Sequence, residues 1–267
     1  MAKTISVTNQ KGGVGKTTTA VNLAASMSAT KRNVLLVDLD PQGNATMGSG
    51  VDKRTAEKTT ANVLLGESLA SECIVYDSKG GYDIMPGNEQ LTAAEVKLLE
   101  IKGREFKLRK ALQEVSDQYD YIFIDSPPSL NMLTVNGLVA AKGVIIPTQC
   151  EYYALEGLSA LTQTIERIRM SANPELDIEG VLRTMFDPRN NLANDVSAQL
   201  TAHFGDSVYR TIIPRNVTLA EAPSHGLPVL LYDKRSRGSL AYLALAGEML
   251  RRNEDQVATT TAQASVN

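Results

Sequence analysis

The chain has 267 residues, 43% of them apolar, which suits one large α/β domain or two small ones with a sizeable core. No stretch reaches the roughly 18 consecutive apolar residues of a membrane span, and no signal-peptide pattern opens the chain, so we expect a cytoplasmic protein without a membrane partner. The net charge of −3 does not indicate nucleic-acid binding, so any DNA contact needs a local basic patch. Two cysteines, Cys73 and Cys150, are too few for a disulfide framework.

A glycine-rich loop follows the first apolar run, residues 5–7. Glycines let backbone N–H groups approach an anion, and a helix that begins near Lys16 would direct its free N–H groups and positive dipole end at the same anion. Lys16 supplies a charge, Thr17 is placed to bind Mg²⁺, and Thr18 is placed to cap a phosphate oxygen. We therefore interpret this stretch as a phosphate-binding loop with these residues: Lys11, Gly12, Gly13, Val14, Gly15, Lys16, Thr17 and Thr18.

The loop departs from the usual phosphate-loop pattern G-x-x-x-x-G-K-[ST]. Gln10 occupies the first glycine position, and a second lysine, Lys11, stands at the loop entrance. Lys11 has little room to serve the same phosphates as Lys16, so we expect its target to lie in another subunit. The alternative is a glycine-rich turn with two solvated lysines, and the coincidence of a strand, a loop and a helix signal argues against it.

The next two segments place acidic residues near the loop. Residues 16–30 have apolar side chains at helical spacing, and residues 34–37 form a continuous apolar run, typical of a strand buried on both faces of a parallel sheet. Ligands of parallel sheets bind beyond the carboxyl ends of the strands, so Asp38 and Asp40 should face the loop. We expect Asp40 to position or activate the attacking water and Asp38 to lie near the water shell of the metal. An acidic turn without chemistry is the alternative.

A second buried run also ends in an aspartate. Residues 121–124 are apolar and lead into Asp125, which is where a nucleotide hydrolase holds the Mg²⁺ shell together with Thr17 and water. The prolines that follow, Pro127 and Pro128, stiffen the segment that would sense the γ-phosphate. The aspartate is a weak signal alone and a strong one in combination with the glycine-rich loop.

The remaining segments continue the alternation of strands and helices. Further strands are predicted at residues 82–87, 144–147 and 178–185, and helices at 60–66, 155–168 and 240–250, with one or two more between 91 and 115. Residues 186–194 are predicted to be a polar loop, and residues 208–213 alternate between apolar and polar. We expect one domain, residues 1–252, with a predominantly parallel, twisted sheet that carries helices on both faces. Residues 253–267 lack an apolar period, so a disordered tail is predicted there.

Five segments carry a resemblance to a known family: residues 10–17 (QKGGVGKT), 38–44 (DLDPQGN), 125–128 (DSPP), 149–157 (QCEYYALEG) and 213–216 (IPRN). Together they resemble the ParA/Soj partition ATPases of chromosomes and plasmids, which are P-loop NTPases with a deviant Walker A loop. The resemblance covers about residues 3–250. The loop alone indicates only the wider group that includes MinD-type ATPases, and the later segments favour the partition branch.

The resemblance implies an ATP-dependent homodimer with two nucleotides between its subunits. Lys11 would reach the partner's nucleotide, Lys16 would hold the β- and γ-phosphates, and Thr18 would contact the α-phosphate. Asp40 would orient the lytic water, so the implied catalytic residues are Lys11, Lys16 and Asp40. Thr17 would bind Mg²⁺.

The resemblance also implies further contacts. Asp38 and Asp125 would complete the shell of the metal, and the turn that contains Pro214 and Asn216 would lie beside the adenine. Arg189 and Arg215 stand at positions that correspond to DNA contacts, so the dimer would bind DNA without sequence preference and associate with the nucleoid. A centromere-binding partner of the ParB type would stimulate hydrolysis and release the DNA.

Four other functions compete with this hypothesis. A dinucleotide-binding oxidoreductase would need a third glycine where Thr18 stands, and it gives Lys16 and Asp125 no role. A redox carrier similar to the nitrogenase iron protein would need paired cysteines after Asp125, where the chain has Ser126 and prolines. A MinD-like division ATPase, the closest alternative, would be expected to end in a basic amphipathic helix, which residues 251–267 do not predict. A nucleotide-dependent scaffold would use the same residues, and ATP turnover would distinguish it.

Overall fold

Six segments of the chain form the strands of one sheet. The structure, a computed structural model, describes the backbone of residues 2–264 and the side chains of residues 2–254. The strands are β1 (Lys3–Val7), β2 (Val34–Asp38), β3 (Asp83–Met85), β4 (Tyr121–Asp125), β5 (Gly143–Gln149) and β6 (Asp177–Thr184).

Every pair of neighbouring strands in the sheet is parallel, and the strand order is β3-β2-β4-β1-β5-β6. Parallel neighbours need crossover connections, which the helices supply. After β1 the chain forms β2, β3 and β4 on one side of that strand. It then crosses to the other side of β1 to form β5. The loop after β1 therefore lies where the connections diverge, which is the position at which open α/β sheets bind ligands.

Helices make up most of the connections. The α-helices of the described chain are α1 (Lys16–Ser28), α2 (Asn44–Gly48), α3 (Thr60–Leu65), α4 (Ala70–Cys73), α5 (Gln90–Leu98), α6 (Lys107–Gln113), α7 (Met132–Ala140), α8 (Ala154–Ser171), α9 (Asn191–Phe204), α10 (Val217–Glu221), α11 (Val229–Tyr232) and α12 (Arg237–Ala264). Short 3₁₀ helices span Arg104–Phe106, Ser116–Gln118, Gly205–Ser207 and Ala222–His225. None of the helices within residues 2–264 is long and apolar enough to cross a membrane.

Both faces of the sheet are covered, because successive strand residues point to opposite sides. In β2, Val34 and Leu36 belong to a hydrophobic cluster that contains side chains of α1 and α12, whereas Leu35 and Val37 belong to one that contains side chains of α3, α5, α6 and α7. A third cluster joins β5 and β6 to α8 and α9. The continuous apolar runs of the sequence are thus doubly buried strands, and the predicted parallel sheet with helices on both faces is confirmed.

The alternating segment 208–213 is not a strand of the sheet. It touches β6 through an isolated bridge between Val208 and Val181, and the Glu248 carboxylate accepts hydrogen bonds from the backbone N–H groups of Arg210 and Thr211, both at 2.8 Å. Arg183, the charged residue inside β6, donates to the Ser197 hydroxyl at 2.8 Å and to the backbone carbonyls of residues 209 and 210. The backbone N–H groups of Tyr209 and Ile213 donate to carbonyls of β6, and the side chains of Arg183 and Glu248 supply further hydrogen bonds to the segment.

The helix α9 begins inside the segment that the sequence predicts as a polar loop. The Asn190 side chain accepts a hydrogen bond from the backbone N–H of Ala193, which caps the helix and ends the loop four residues before the predicted boundary. The helix packs on the third cluster through Ala193, Val196 and Leu200. The sequence pattern did not predict this helix, whose first turn is almost entirely polar or small.

The last helix, α12, extends to Ala264 and so enters the segment 253–267. Asn253 donates to the Tyr121 hydroxyl at 2.8 Å, which fastens the start of this segment to β4. Residues 265–267 lie outside the described part of the chain. The disordered tail and the domain boundary at residue 252 stay predictions.

Two glycine substitutions are expected to change stability in opposite directions. A Cβ on Gly180 in β6 would lie 2.3 Å from the ring of Tyr209, which is fully buried and has no room to move. Gly180→Ala should therefore lower the free energy of unfolding by about 1–3 kcal/mol. Gly157→Ala, on α8, meets nothing within 4 Å and should raise it by up to about 1 kcal/mol. Urea unfolding followed by circular dichroism measures both, and equal stability of the two variants would contradict this packing.

Candidate functional site

The loop between β1 and α1 adopts the shape of an anion cradle. Gly13 and Gly15 have φ angles of 75° and 86°, in the left-handed region that favours glycine. Gly15 precedes α1, whose N-terminus receives no side-chain cap from the described residues, so its first N–H groups are free to bind an anion. The Thr184 hydroxyl donates to the carbonyl of Val14 at 2.8 Å and fixes the loop to the end of β6.

Lys16, at the start of α1, is buried inside this loop. Its side chain is directed back along the loop, and Nζ donates to the carbonyl oxygen of Lys11 at 2.9 Å. Burial lowers the pKa of Lys16, while the charges of Asp125 and Asp40 raise it. The fold therefore brings together three predicted site residues that come from three separate segments of the sequence.

Lys11 is oriented differently from Lys16. Its backbone N–H donates to Asn9 Oδ1 at 3.0 Å, and Asn9 Nδ2 donates to the carbonyl of Pro147 at 2.8 Å. Its ammonium pairs with the Glu151 carboxylate at 2.5 Å, beyond the end of β5. Both charged side chains are partly exposed, at 44% and 52%. Asn9 and Glu151 were not among the predicted site residues, although Glu151 lies in the segment 149–157 that carries part of the resemblance.

Asp38 and Asp125 lie side by side at the ends of adjacent strands. They are register partners in β2 and β4, and both are completely buried. Asp38 accepts hydrogen bonds from the backbone N–H of Thr46 at 2.8 Å and from its hydroxyl at 2.6 Å. Burial raises the pKa of Asp38 to about 6, and the hydrogen bonds from Thr46 oppose that shift. The Thr46 hydroxyl in turn accepts from the backbone N–H of Gly87 at 2.9 Å, which connects Asp38 to the end of β3.

Asp125 is the buried carboxylate of the site that lacks hydrogen-bond partners in the described chain. Neither of its carboxylate oxygens has a hydrogen-bond partner among the described residues. Burial and the neighbouring charge of Asp38 raise its pKa well above the usual range, while Thr17 and Lys16 oppose the shift. A buried carboxylate without partners is costly unless a cation or donor satisfies it. This arrangement fits Mg²⁺ together with its water shell.

The metal would need ligands beyond the protein. No group of three or more His, Cys, Asp or Glu side chains in the described residues is arranged to hold a metal ion. Mg²⁺ commonly takes one or two protein oxygens and completes its octahedron with water and substrate phosphates. Thr17 at the start of α1 and the pair Asp38 and Asp125 can supply the protein side of such a site.

Asp40 lies two residues beyond the end of β2 and is almost fully buried, with 8% exposure. Its Oδ1 accepts a hydrogen bond from the backbone N–H of Gln42 at 2.9 Å, which fixes the carboxylate within its own turn. Because its charge also acts on Lys16 and Asp125, it lies close to the phosphate loop, as the sequence predicts.

A small cavity lies next to the predicted adenine turn, because Arg215 of that turn lines it. It has a volume of about 190 Å³, and its lining includes Met185, Phe186 and Arg215. The Met185 methyl lies 3.9 Å from the position a Cβ would take on Gly15, so the cavity is close to the N-terminus of α1. Pro214 forms a bridge with Phe186, whereas the Asn216 side chain caps α10 by accepting from the N–H of Leu219 at 3.3 Å.

The two predicted DNA contacts differ in their surroundings. Arg189 is exposed at 88%, but its guanidinium forms two hydrogen bonds with the Asp187 carboxylate, at 2.9 and 2.7 Å. The hydrogen bonds from Arg189 hold the pKa of Asp187 at about 2. Arg215 is also exposed and lies on the rim of the cavity described above. An aspartate within its own loop thus partly neutralises the predicted basic residue Arg189.

The burial of Asp125 gives an expectation for stability and pH. Because its pKa in the folded state lies above its ordinary value of 3.8, the carboxyl's favourable contribution exists at low pH and is lost as pH rises through the folded pKa. Asp125→Asn should therefore raise the free energy of unfolding of the nucleotide-free, Mg²⁺-free protein near pH 8 by about 0.5–2 kcal/mol. The gain should shrink as the pH approaches 4. Denaturant titrations at several pH values measure it, with the exposed Asp206→Asn as control, and a less stable Asp125→Asn at pH 8 would contradict the assignment.

Comparison with known proteins identifies the family. A family model described as an AAA domain matches residues 2–178. The sporulation initiation inhibitor protein Soj of Bacillus subtilis is 50% identical over 249 residues, which are 93% of this chain and 98% of that protein. The chromosome partitioning protein ParA of Caulobacter vibrioides is 47% identical over 258 residues, which are 96% of this chain and 97% of that protein.

A solved structure supports the same assignment. The cobyrinic acid a,c-diamide synthase of Mycobacterium smegmatis with bound ADP and magnesium is 36% identical, has a TM-score of 0.83, and covers 95% of this chain and 96% of its own. The P-loop α/β fold, the ATP hydrolase activity and the use of ATP and Mg²⁺ that the sequence predicts are thereby confirmed. This chain belongs to the ParA/Soj family of P-loop ATPases.

Proposed function

We propose that this protein segregates chromosomal or plasmid DNA through an ATP-dependent cycle of dimerisation. ATP binding joins two subunits, the dimer binds DNA without sequence preference, and a ParB-type partner stimulates hydrolysis and so releases the DNA. The observation that carries the proposal is the difference between the two lysines of the loop. Lys16 is buried among the phosphate-facing groups, whereas Lys11 is exposed and its ammonium pairs beyond the end of β5.

Within one subunit, the loop binds the phosphates of ATP. Backbone N–H groups of Gly12, Gly13, Val14 and Gly15 surround them, Lys16 neutralises the β- and γ-phosphates, and the Thr18 region contacts the α-phosphate. Mg²⁺, when bound, neutralises the charge that develops on the phosphate oxygens. Thr17 would hold it directly, and the buried pair Asp38 and Asp125 would orient its water ligands.

Asp40 positions the water that attacks the γ-phosphate. Its carboxylate is held by the N–H of Gln42, so it presents a fixed acceptor to a water molecule near Lys16. Positioning of this kind is the main protein contribution to phosphoryl transfer, since the transition state requires little covalent chemistry from side chains. Lys11 of the partner subunit would add positive charge to the same phosphate.

The surface around Lys11 suits a second copy of the chain. Tyr152 and Tyr153 follow Glu151 and are exposed at 74% and 69%, with their rings in edge-to-face contact at 5.0 Å. Exposed tyrosines supply large contact areas at low entropic cost and are enriched at the centres of protein interfaces. We infer that these residues lie in the dimer interface beside Lys11.

The adenine base and the DNA would bind to residues that lie near the carboxyl ends of β5 and β6. The cavity of about 190 Å³ next to Pro214 is lined mainly by polar side chains, including Gln149 and Asn190, which suit hydrogen bonds to the base of a bound nucleotide. Asn216 would contribute from the same turn. Arg189 and Arg215 are exposed and would contact DNA phosphates, so the protein would associate with the nucleoid.

Removal of the Asp40 carboxylate should separate binding from hydrolysis. Asp40→Ala keeps the loop, Lys16 and the metal-binding residues, so it should bind ATP and accumulate as a DNA-bound dimer, while turnover falls by about 100-fold or more. Light scattering with ATP or ADP, DNA retention and phosphate release measure the three properties together. Asp195→Ala, at an exposed position of α9, is the control. Turnover at the wild-type rate would remove Asp40 from the mechanism.

The ion pair between Arg189 and Asp187, in the loop after β6, leads to a prediction for DNA binding. Arg189→Ala and Arg215→Ala should each weaken the binding of any DNA sequence about equally and lower the slope of log affinity against log salt by about one for each DNA phosphate that is no longer neutralised. Asp187→Asn should instead strengthen binding, because it frees Arg189. Fluorescence anisotropy with two unrelated duplexes measures this, with Arg167→Ala on α8 as control. A weakening confined to one sequence would contradict contact with the backbone alone.

A further inference from the structure

Lys11 is held by its own subunit at three atoms. Its backbone N–H donates to Asn9, its carbonyl accepts from Lys16, and its ammonium pairs with Glu151 at 2.5 Å. Asn9 is tied to the carbonyl of Pro147 in β5, so the backbone of Lys11 is fixed to the strand from which Glu151 follows. None of these contacts involves a nucleotide.

Glu151 is itself well positioned. Its backbone N–H donates to the carbonyl of Gln149 at 2.9 Å, and its carbonyl accepts from the N–H of Ala154 at the first residue of α8. The carboxylate thus stands on a turn that is fixed between β5 and α8. It is placed to attract the Lys11 ammonium whenever no stronger anion is within reach.

An ammonium cannot be paired with Glu151 and coordinate a distant phosphate at the same time. If Lys11 binds the nucleotide of a second subunit, its ion pair with Glu151 therefore has to break. We propose that Glu151 is a positioning residue for Lys11: it holds the ammonium against its own subunit and so sets the protein concentration at which ATP produces the dimer. This inference rests on the proposed function in one respect, the use of Lys11 by the partner's nucleotide.

The energy of this ion pair is small enough to shift the concentration at which the dimer forms without preventing dimerisation. The two side chains are 44% and 52% exposed, and exposed ion pairs contribute up to about 1 kcal/mol, which corresponds to about fivefold in an equilibrium constant. A triphosphate carries several negative charges against one on Glu151, so it out-competes the carboxylate once the subunits meet. Without nucleotide, Glu151 keeps Lys11 from binding other anions.

The first experiment tests the contact without any nucleotide. Glu151→Gln removes the charge and keeps the shape of the side chain, so Lys11 should react several-fold faster with a limiting dose of acetic anhydride, as read by peptide mass spectrometry. Lys97, which is exposed on α5, serves as the internal reference in the same sample. An unchanged rate at Lys11 would show that Glu151 does not hold the lysine and would overturn the inference.

The second experiment measures the protein concentration at which nucleotide produces the dimer. With a slowly hydrolysed ATP analogue and Mg²⁺, Glu151→Gln should dimerise at a protein concentration up to about fivefold lower than the wild type, while the affinity of the monomer for ADP stays the same. The difference should vanish near 1 M salt, where the Debye length is about 3 Å. Glu156→Gln, an exposed carboxylate in the first turn of α8, is the matched control and should behave as wild type.

The outcomes distinguish this inference from the proposed function. If the wild type dimerises and Glu151→Gln has the same or a higher midpoint, the inference is wrong and the proposed function stands. A higher midpoint would assign Glu151 to the dimer contact itself. If the wild type fails to dimerise at any concentration, the proposed function is wrong and the threshold is wrong with it.

Discussion

The burial of two carboxylates side by side is the constraint on which the site depends. Asp38 and Asp125 are register partners at the carboxyl ends of β2 and β4, so the hydrogen-bond ladder of the sheet fixes their separation. Thr46 satisfies the Asp38 carboxylate, but the carboxylate oxygens of Asp125 have no hydrogen-bond partner among the described residues. The sheet thereby holds two carboxyl groups where water is excluded, which raises both of their pKa values, and a cation relieves the electrostatic cost of ionising them. Binding of Mg²⁺ together with a nucleotide is favourable partly because it compensates the cost of the buried carboxyl groups in the nucleotide-free site.

The strand order determines which parts of the chain can reach this place. β1 lies between β4 and β5, so the loop that follows it faces Asp125 on one side and the segment after β5 on the other. Lys16 is buried near the acidic side, where the charges of Asp125 and Asp40 oppose the lowering of its pKa by burial. Lys11 is directed towards the other side, where Glu151 holds it. One loop thus serves a buried site and a surface through lysines that are five residues apart.

The two lysines work in different electrostatic environments. The groups around Lys16 are buried, where charges interact strongly and substitutions are costly. Lys11 and Glu151 are partly exposed, where water and salt weaken their attraction. The fold thereby combines a nucleotide site that changes little with a surface contact that a small energy can rearrange. That combination suits a protein whose assembly follows its nucleotide state.

Features that rest on local chemistry could be predicted from the amino-acid sequence alone. Continuous apolar runs indicated β2 and β4, the glycines and Lys16 indicated the loop, and the position of Asp38 and Asp125 after those runs indicated the acidic site. The contacts between distant segments, such as Asn9 with Pro147 and Lys11 with Glu151, which are 138 and 140 residues apart, became evident only in the folded structure. It also showed that the Glu248 carboxylate accepts hydrogen bonds from the backbone N–H groups of residues 210 and 211, in the segment 208–213. Periodicity reports the environment of a residue's own segment, whereas a hydrogen-bond partner depends on which other segment the fold brings within about 3 Å.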